Sequence, residues 1–284
     1  MGIPFFTIIT ATRNAAGSLP RLLESLASQT CRDFELIIQD GSSTDDTVAV
    51  AEAWRDRLPA FSIASEPDIG IYDAWNKALP CIGGQWVLFL GADDALADVN
   101  VLRRTKERML TYSPHVLFAA GDLFLCQADG TVVQEFQAQT DEGAAYLPQG
   151  ITVSHSALFH RCSLFVSFQF DTRFRIAGDY EFLCRAWKMN AQAERLGFCV
   201  TRMALGGISS HPRAAFTLRL EYAKAAARHF SRTWTVRRIR ELVQGAVIVG
   251  LSIVLGSSRA CIVLNRLRTL RGLSPYWGSE LRHE

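Results

Sequence analysis

The chain has 284 residues, 49% hydrophobic and 20% charged, which excludes an intrinsically disordered or collagen-like protein and a disulfide-stapled miniprotein. Its net charge of +2 is divided: residues 1–210 hold 17 basic against 24 acidic side chains and residues 211–284 hold 13 against 4, an acidic body at −7 and a basic tail at +9. An acidic body excludes a nucleic-acid binder with basic residues on its recognition face, and no nucleic-acid partner is expected.

The opening Met1–Ala11 carries no basic segment and no small-residue cleavage site, so the chain is expected to face the cytoplasm. Short apolar runs then alternate with helical patterns: Phe5–Ala11 and Ser18–Gln29, Phe34–Gln39 and Thr44–Leu58, Phe61–Ser65 and Ile69–Leu79, Trp86–Leu90 and Asp98–Tyr112. Strand-helix repetition predicts a parallel α/β sheet. Ser18 with Pro20 predicts one helix start, and Ser43 with Asp46 a capping box at the next. From Val116 the pattern becomes α+β, with a hairpin through Asp129-Gly130, a loop-rich stretch to Val153, a strand near Ala157–His160 and a helix from Asp179 to Met189. The seven cysteines include no CxxC pair and read as reduced thiols.

After His211-Pro212 the residues Phe216, Leu220, Ala223, Ala227, Phe230 and Trp234 recur at spacings of 4, 3, 4, 3 and 4, an amphipathic basic helix. Leu242–Leu255 is apolar apart from Gln244 and Ser252, too short to span a bilayer and suited to lying in its interface. Arg237, Arg238 and Arg240 before it are expected at anionic headgroups, which would make the protein peripheral at the cytoplasmic face of the inner membrane. Packing of this tail on protein is the alternative. The expected division is therefore a body at 1–210 and a basic, partly apolar helical extension at 211–284.

Motifs for P-loop NTPases, dinucleotide enzymes, zinc peptidases and α/β-hydrolases are missing from the sequence. What recurs instead is a polar residue just past each predicted strand: Asn14, Asp40, Glu66 and the pair Asp93-Asp94. In an open parallel sheet these strand ends border the ligand crevice, so four segments would deliver oxygen ligands to one place. Asp40, before Gly41, could accept from a ligand; as an ordinary strand-to-helix turn it would serve its own loop. Adjacent carboxylates such as Asp93-Asp94 repel unless a cation relieves them, although either could instead favour the next helix's N-terminus.

The segments Thr7–Asn14, Asp40–Thr47, Glu66–Lys77 and Gly91–Asp94, in this order, resemble family 2 glycosyltransferases of the GT-A fold, nearest to the bacterial exopolysaccharide and O-antigen transferases of colanic-acid type. The resemblance runs from about residue 4 to 210. It implies an inverting, metal-dependent transfer of one sugar from a nucleotide-diphosphate donor, UDP-linked, to a glycan or lipid-linked acceptor in surface polysaccharide synthesis. It implies Mn2+ or Mg2+ as cofactor, Asp94 as metal contact with His211 as a further candidate, and Thr10, Asn14, Asp40, Glu66, Asn76, Lys77 and Asp93 around the nucleotide sugar. Ala92 stands at the first position of the family's DxD motif, which leaves metal binding to Asp94 and the diphosphate. Asp179, in Ile176–Phe182, matches the family's acidic motif and is the implied general base; Glu181 is the alternative carboxylate, and Asp179 as a simple helix cap the plainer reading. His155 is placed on the acceptor side, though a lone histidine often serves structure. Arg185 and Trp187 stand where processive synthases carry QxxRW, and the missing Gln favours single-sugar transfer. Two competing readings are a catalytically silent nucleotide-binding scaffold of a polysaccharide assembly complex and a nucleotidyltransferase, the latter disfavoured because no glycine-rich triphosphate loop follows the first strand.

Overall fold

A computed structural model describes residues 2–127, 129–140, 153–189, 191–230 and 235–277. Strands β1 (Phe6–Thr12), β2 (Phe34–Asp40), β3 (Phe61–Ser65) and β4 (Trp86–Phe89) run parallel in the order β3-β2-β1-β4. The sheet continues from β4 through β8 (Leu158–Arg161), β6 (Val116–Cys126), β9 (Gln192–Ala204) and the two-residue β5 (Ala95–Leu96), with β7 (Val132–Phe136) hairpinned to β6. Here β8 is antiparallel to β4 and to β6, β9 parallel to β6, and β5 antiparallel to β9.

Alternation along the strands sorts side chains onto two faces. Phe6 and Ile8, Leu36 and Ile38, and Trp86 and Leu88 enter one core with helices α1 (Leu19–Ala27), α2 (Thr47–Glu52) and α4 (Val101–Met109). Ile9, Ile37, Val87 and Phe89 enter the other with α3 (Ile71–Ala78) and α5 (Gly178–Lys188). This is the doubly covered α/β sheet predicted. Two local expectations change. The helix expected at Thr44–Leu58 is cut to Thr47–Glu52 plus a 3₁₀ turn at Arg55–Arg57, and its N-cap is Asp46 without a side-chain cap bond, because Ser43 Oγ is spent on Asp40. The 13-residue β9 was not foreseen, since its charged residues and Gly197 hide the alternation. Most of the stretch before Val153 lies outside the described residues, as does Trp234.

The tail is helical: α6 (Ala215–His229), α7 (Val236–Leu255) and α8 (Ser257–Leu270). The expected boundary after residue 210 does not separate α6 from the body. Ala225 lies in the second core with Leu218, Tyr222 and Phe230 packed against it, and the buried Glu221 carboxylate accepts from the Arg175, Ile176 and Ala177 N–H groups at 2.8–2.9 Å. Phe216, expected on the buried face of α6, is exposed. Helix α7 crosses α6 closely at Gly245, where a Cβ would come within 3.0 Å of the Ala215 carbonyl and of Phe216 Cα. Arg238, expected at headgroups, is buried on the same face of α7 as Gly245, Ile248 and Ser252 and lies against Tyr180. No helix among the described residues is long and apolar enough to cross a membrane.

Candidate active site

The loops after β1, β2 and β3 join at the carboxyl edge of the sheet. Asn14, in the left-handed conformation at φ 49°, accepts at Oδ1 from Thr44 N–H (2.8 Å), and its own N–H donates to Ser43 Oγ (2.8 Å). Gly41 packs on the loop after β3 so tightly that a Cβ would fall 2.3 Å from Asp68 Oδ2. Asp40 organises this junction. Fully buried at the end of β2, its carboxylate accepts from Thr12 Oγ1 (2.8 Å), Ser43 N–H (2.8 Å), Ser43 Oγ (2.5 Å) and Ser65 Oγ (2.7 Å). Burial alone would raise its pKa, but these bonds favour the anion and hold it below the ordinary carboxylate value. The carboxylate expected to face a ligand is thus engaged by four protein donors, which is the turn reading.

Three other expected donor ligands are likewise occupied. The Asn76 amide is paired at both ends with the Phe170 backbone, donating to its carbonyl (2.9 Å) and accepting from its N–H (2.8 Å). Lys77 donates to the Pro67 carbonyl (2.5 Å) and lies 3.5 Å from Asp73 and 3.9 Å from Glu66, so it braces the loop after β3. Glu66 accepts from Gln39 Nε2 at 3.2 Å. Thr10 is fully buried within β1 and its hydroxyl has no partner among the described residues.

The turn after β4 holds the carboxylate pair. Asp94 is 5% exposed; its Oδ2 accepts from Gly91 N–H (2.9 Å) and its Oδ1 from Ala204 N–H (3.3 Å). Burial, then the neighbouring Asp93 charge, pushes its pKa up to about 7. A Cβ on Gly91 would sit 2.9 Å from Asp93 Oδ1 and 3.0 Å from Asp94 Oδ2, so glycine at 91 is what lets both carboxylates close over this turn. Two hard oxygen donors crowded at a buried turn fit a divalent cation, whose charge would reverse the penalty on Asp94. No cluster of three or more His, Cys, Asp and Glu disposed to hold a metal occurs among the described residues, so other ligands would have to come from the substrate. His211 is not among the residues that line the cavity beside this turn; its Nδ1 accepts from Arg213 N–H (3.2 Å).

That cavity, of about 410 Å³, brings Asp94, Asp179 and His155 together from three parts of the chain, with Tyr72 and Trp75 of α3 and Tyr222 of α6 in its walls. Asp179 does not cap α5. The N-cap is Ala177, Glu221 accepts from the N–H groups of Arg175, Ile176 and Ala177 ahead of the helix, and Asp179, one residue into the helix, lines the cavity. It accepts from Tyr180 N–H (2.8 Å) and lies 3.3 Å from the Tyr72 hydroxyl, which also donates to the Ile176 carbonyl (2.7 Å). Burial outweighs these bonds and raises its pKa to about 6. Gly178 makes the approach possible, since a Cβ there would meet the Tyr72 ring at 2.8 Å. Glu181 faces the other way, 1% exposed, and binds Arg185 Nε and His229 Nε2, both at 2.9 Å. Arg185 is thereby placed outside the cavity as well.

His155 lines the cavity as part of an aromatic stack, between Trp75 (4.9 Å) and Phe89 (5.1 Å), next to His160 (4.8 Å). Both nitrogens of His155 are buried without a partner among the described residues, and burial holds His155 neutral and pushes His160 down to about 3. His155 therefore presents a neutral ring rather than an exposed nitrogen. Tyr72 and Glu221 were not singled out from sequence. Tyr72 stands inside Glu66–Lys77 and could have been weighed there, whereas nothing local marks Glu221 as a partner of residues 175–177.

The family model for glycosyl transferase family 2 matches residues 7–126. A PGL/p-HBAD biosynthesis glycosyltransferase of Mycobacterium bovis (strain BCG / Pasteur 1173P2) is 33% identical over 217 residues, 74% of this chain and 81% of the relative. A mannosyltransferase from Pyrobaculum calidifontis in complex with GDP-Man and Mn2+ superposes with a TM-score of 0.65 at 17% identity, over 97% of this chain and 83% of that one. S. aureus TarS 1-349 in complex with UDP-GlcNAc superposes with a TM-score of 0.64 at 20% identity, over 85% and 71%. The fold is GT-A, and this chain belongs to glycosyl transferase family 2.

Proposed function

We propose that the protein is an inverting glycosyltransferase that moves one sugar from a UDP-linked donor to a hydroxyl of a glycan or lipid-linked acceptor, with Mn2+ or Mg2+. The observation that carries this reading is the placement of Asp94 and Asp179 on one cavity, the first at a cation-fitting turn and the second as a carboxylate with a pKa of about 6. A base poised near working pH can take a proton from an attacking hydroxyl. In the step proposed, the acceptor O–H proton passes to Asp179, the acceptor oxygen bonds to the anomeric carbon, and the bond from that carbon to the diphosphate breaks on the opposite face. Asp94, with Asp93 beside it, would hold the cation, which offsets charge on the departing diphosphate. The junction built by Asn14, Asp40 and Ser43 shapes the nucleotide end; Asp40 acts there by fixing the loop. UDP-GlcNAc in the TarS structure supports the donor class, and the PGL/p-HBAD biosynthesis name of the mycobacterial relative supports a glycosyltransferase of a biosynthetic pathway.

The tail adds a surface. Val236, Ile239, Val243, Val247 and Val254 form one stripe along α7, each more than half exposed, with Ile262 and Leu270 exposed on α8. Arg240 flanks the stripe. Exposed apolar side chains beside arginine favour an anionic bilayer interface, so the protein is proposed to sit peripherally on the cytoplasmic face of the inner membrane.

Release of free nucleotide from a panel of nucleotide sugars with Mn2+ or Mg2+ tests the function. UDP-sugar turnover that requires the cation is expected. Tight UDP binding with no turnover in any acceptor extract would instead identify a silent scaffold.

A further inference from the structure

A second cavity, of about 340 Å³, opens beside the catalytic one between α6, α7 and the chain after α8, lined by Arg219, Tyr222, Glu241, Gln244, Tyr276 and Trp277. Tyr222 and Tyr276 belong to both cavities, and the Tyr222 ring meets the Tyr180 ring edge-on at 4.8 Å, one residue from Asp179. The last described segment is held there deliberately. Asn265 Oδ1 accepts from the N–H groups of Tyr276 (3.1 Å) and Trp277 (3.0 Å), its Nδ2 donates to the Trp277 carbonyl (2.9 Å), and Arg268 Nε donates to the Ser274 carbonyl (2.8 Å).

Arg219 is half-buried in the cavity wall. It donates once, to the Ala215 carbonyl (2.8 Å), and no ion pair to it occurs among the described residues. Burial lowers its pKa. Glu241 on the same wall is bound to Arg237 at 2.8 Å. Arg219, the Glu241 carboxylate and the Gln244 amide present donors and acceptors to one cavity, which suits a ligand that offers both. The half-buried Tyr222 and Tyr276 add aromatic surface. Planar polar groups set among aromatic rings match a sugar, which offers hydroxyls at its edge and C–H groups on its faces; a phosphate would use neither the rings nor Glu241.

We infer that this cavity is an acceptor subsite that binds the sugar next to the one receiving the transferred residue, so the C-terminal segment selects for acceptors of at least two sugars. The inference rests on the glycosyltransferase reading above. It also gives the tail a role in catalysis beyond any contact with a membrane.

The test compares methyl glycosides of hexoses, deoxyhexoses and N-acetylhexosamines with disaccharides built from the same units, by saturation-transfer NMR on full-length protein with UDP and Mn2+, and by transfer kinetics for those that accept sugar. At least one disaccharide is expected to bind wild type at least tenfold tighter than its component monosaccharides. Arg219→Gln and the surface variant Gln244→Ala should each weaken that disaccharide, by KM rather than kcat, while UDP affinity and donor hydrolysis stay within twofold. Equal binding of mono- and disaccharides by wild type, disaccharide affinity unmoved in both variants, or UDP binding without binding of any sugar in the panel would overturn the subsite. Failure of wild type to bind UDP would overturn the parent reading instead, and the subsite with it.

Discussion

Asp179→Asn should separate catalysis from stability in opposite directions. Asparagine keeps the shape and still accepts from Tyr180 N–H, so the site should stay assembled, but it cannot take a proton. Loss of a general base predicts transfer lower by about 10²–10⁴-fold with near-normal donor affinity. The carboxylate also costs stability. Its pKa is raised by burial from 3.8 to about 6, so folding binds a proton between those values, and the ionised form above pH 6 opposes folding by about 3 kcal/mol at most. The penalty is absent below pH 4, grows as pH rises through the window, and is complete above about 6.5. The variant should therefore unfold at higher urea than wild type at pH 8, and the difference should shrink toward zero at pH 4.5. Paired denaturation curves at the two pH values, with transfer assays at pH 8, check both halves. Retained transfer would take the base role from Asp179, and an advantage over wild type no larger at pH 8 than at pH 4.5 would refute the burial argument.

The other expectations concern the cation, the loop and the tail. Because Asp94 titrates near 7, binding of Mn2+ with UDP at pH 6.5 should release a proton and at pH 8.5 should not, which calorimetry in buffers of different ionisation heat will read; Asp94→Asn should lose both this release and cation-dependent turnover. Asp40→Ala strands three buried or half-buried donors and the hydroxyl of the exposed Ser65, and should cost about 2–5 kcal/mol of stability by denaturation, with UDP affinity falling as a consequence of the loosened loop; unchanged stability would return Asp40 to a direct ligand role. Val243→Asp with Val247→Asp, both on exposed turns of α7, should abolish sedimentation with anionic liposomes while leaving UDP-sugar hydrolysis intact, and raised salt should partly release wild type. Equal liposome binding by the double variant would mean that this stripe does not meet the bilayer. Truncation after Ser210 is not a clean version of this test, because it removes Glu221 from the turn that carries Asp179.

What the sequence determined is what local spacing determines. Period-two alternation and the strand-helix repeat placed β1 to β4 within a residue or two of where they lie, since each strand must divide its apolar residues between two cores. The order of polar residues after those strands also put Asn14, Asp40, Glu66 and Asp94 at one edge of the sheet. Which of them remain available was decided by tertiary structure. Asp40 is enclosed by hydroxyls from β1 and β3, and Asn76 is matched to the Phe170 backbone 94 residues away, partners with no sequence signature. The same holds for Asp179, whose turn is anchored by Glu221, 42 positions later, through the N–H groups of Arg175, Ile176 and Ala177. Arg238 is the one intermediate case: its spacing to Gly245, Ile248 and Ser252 already marks the inward face of α7, but only packing against α6 and Tyr180 decides that the face is covered by protein. A side chain's chemistry can be read from sequence, while its availability depends on partners brought in by the fold, because hydrogen bonds and burial are set by distances in space.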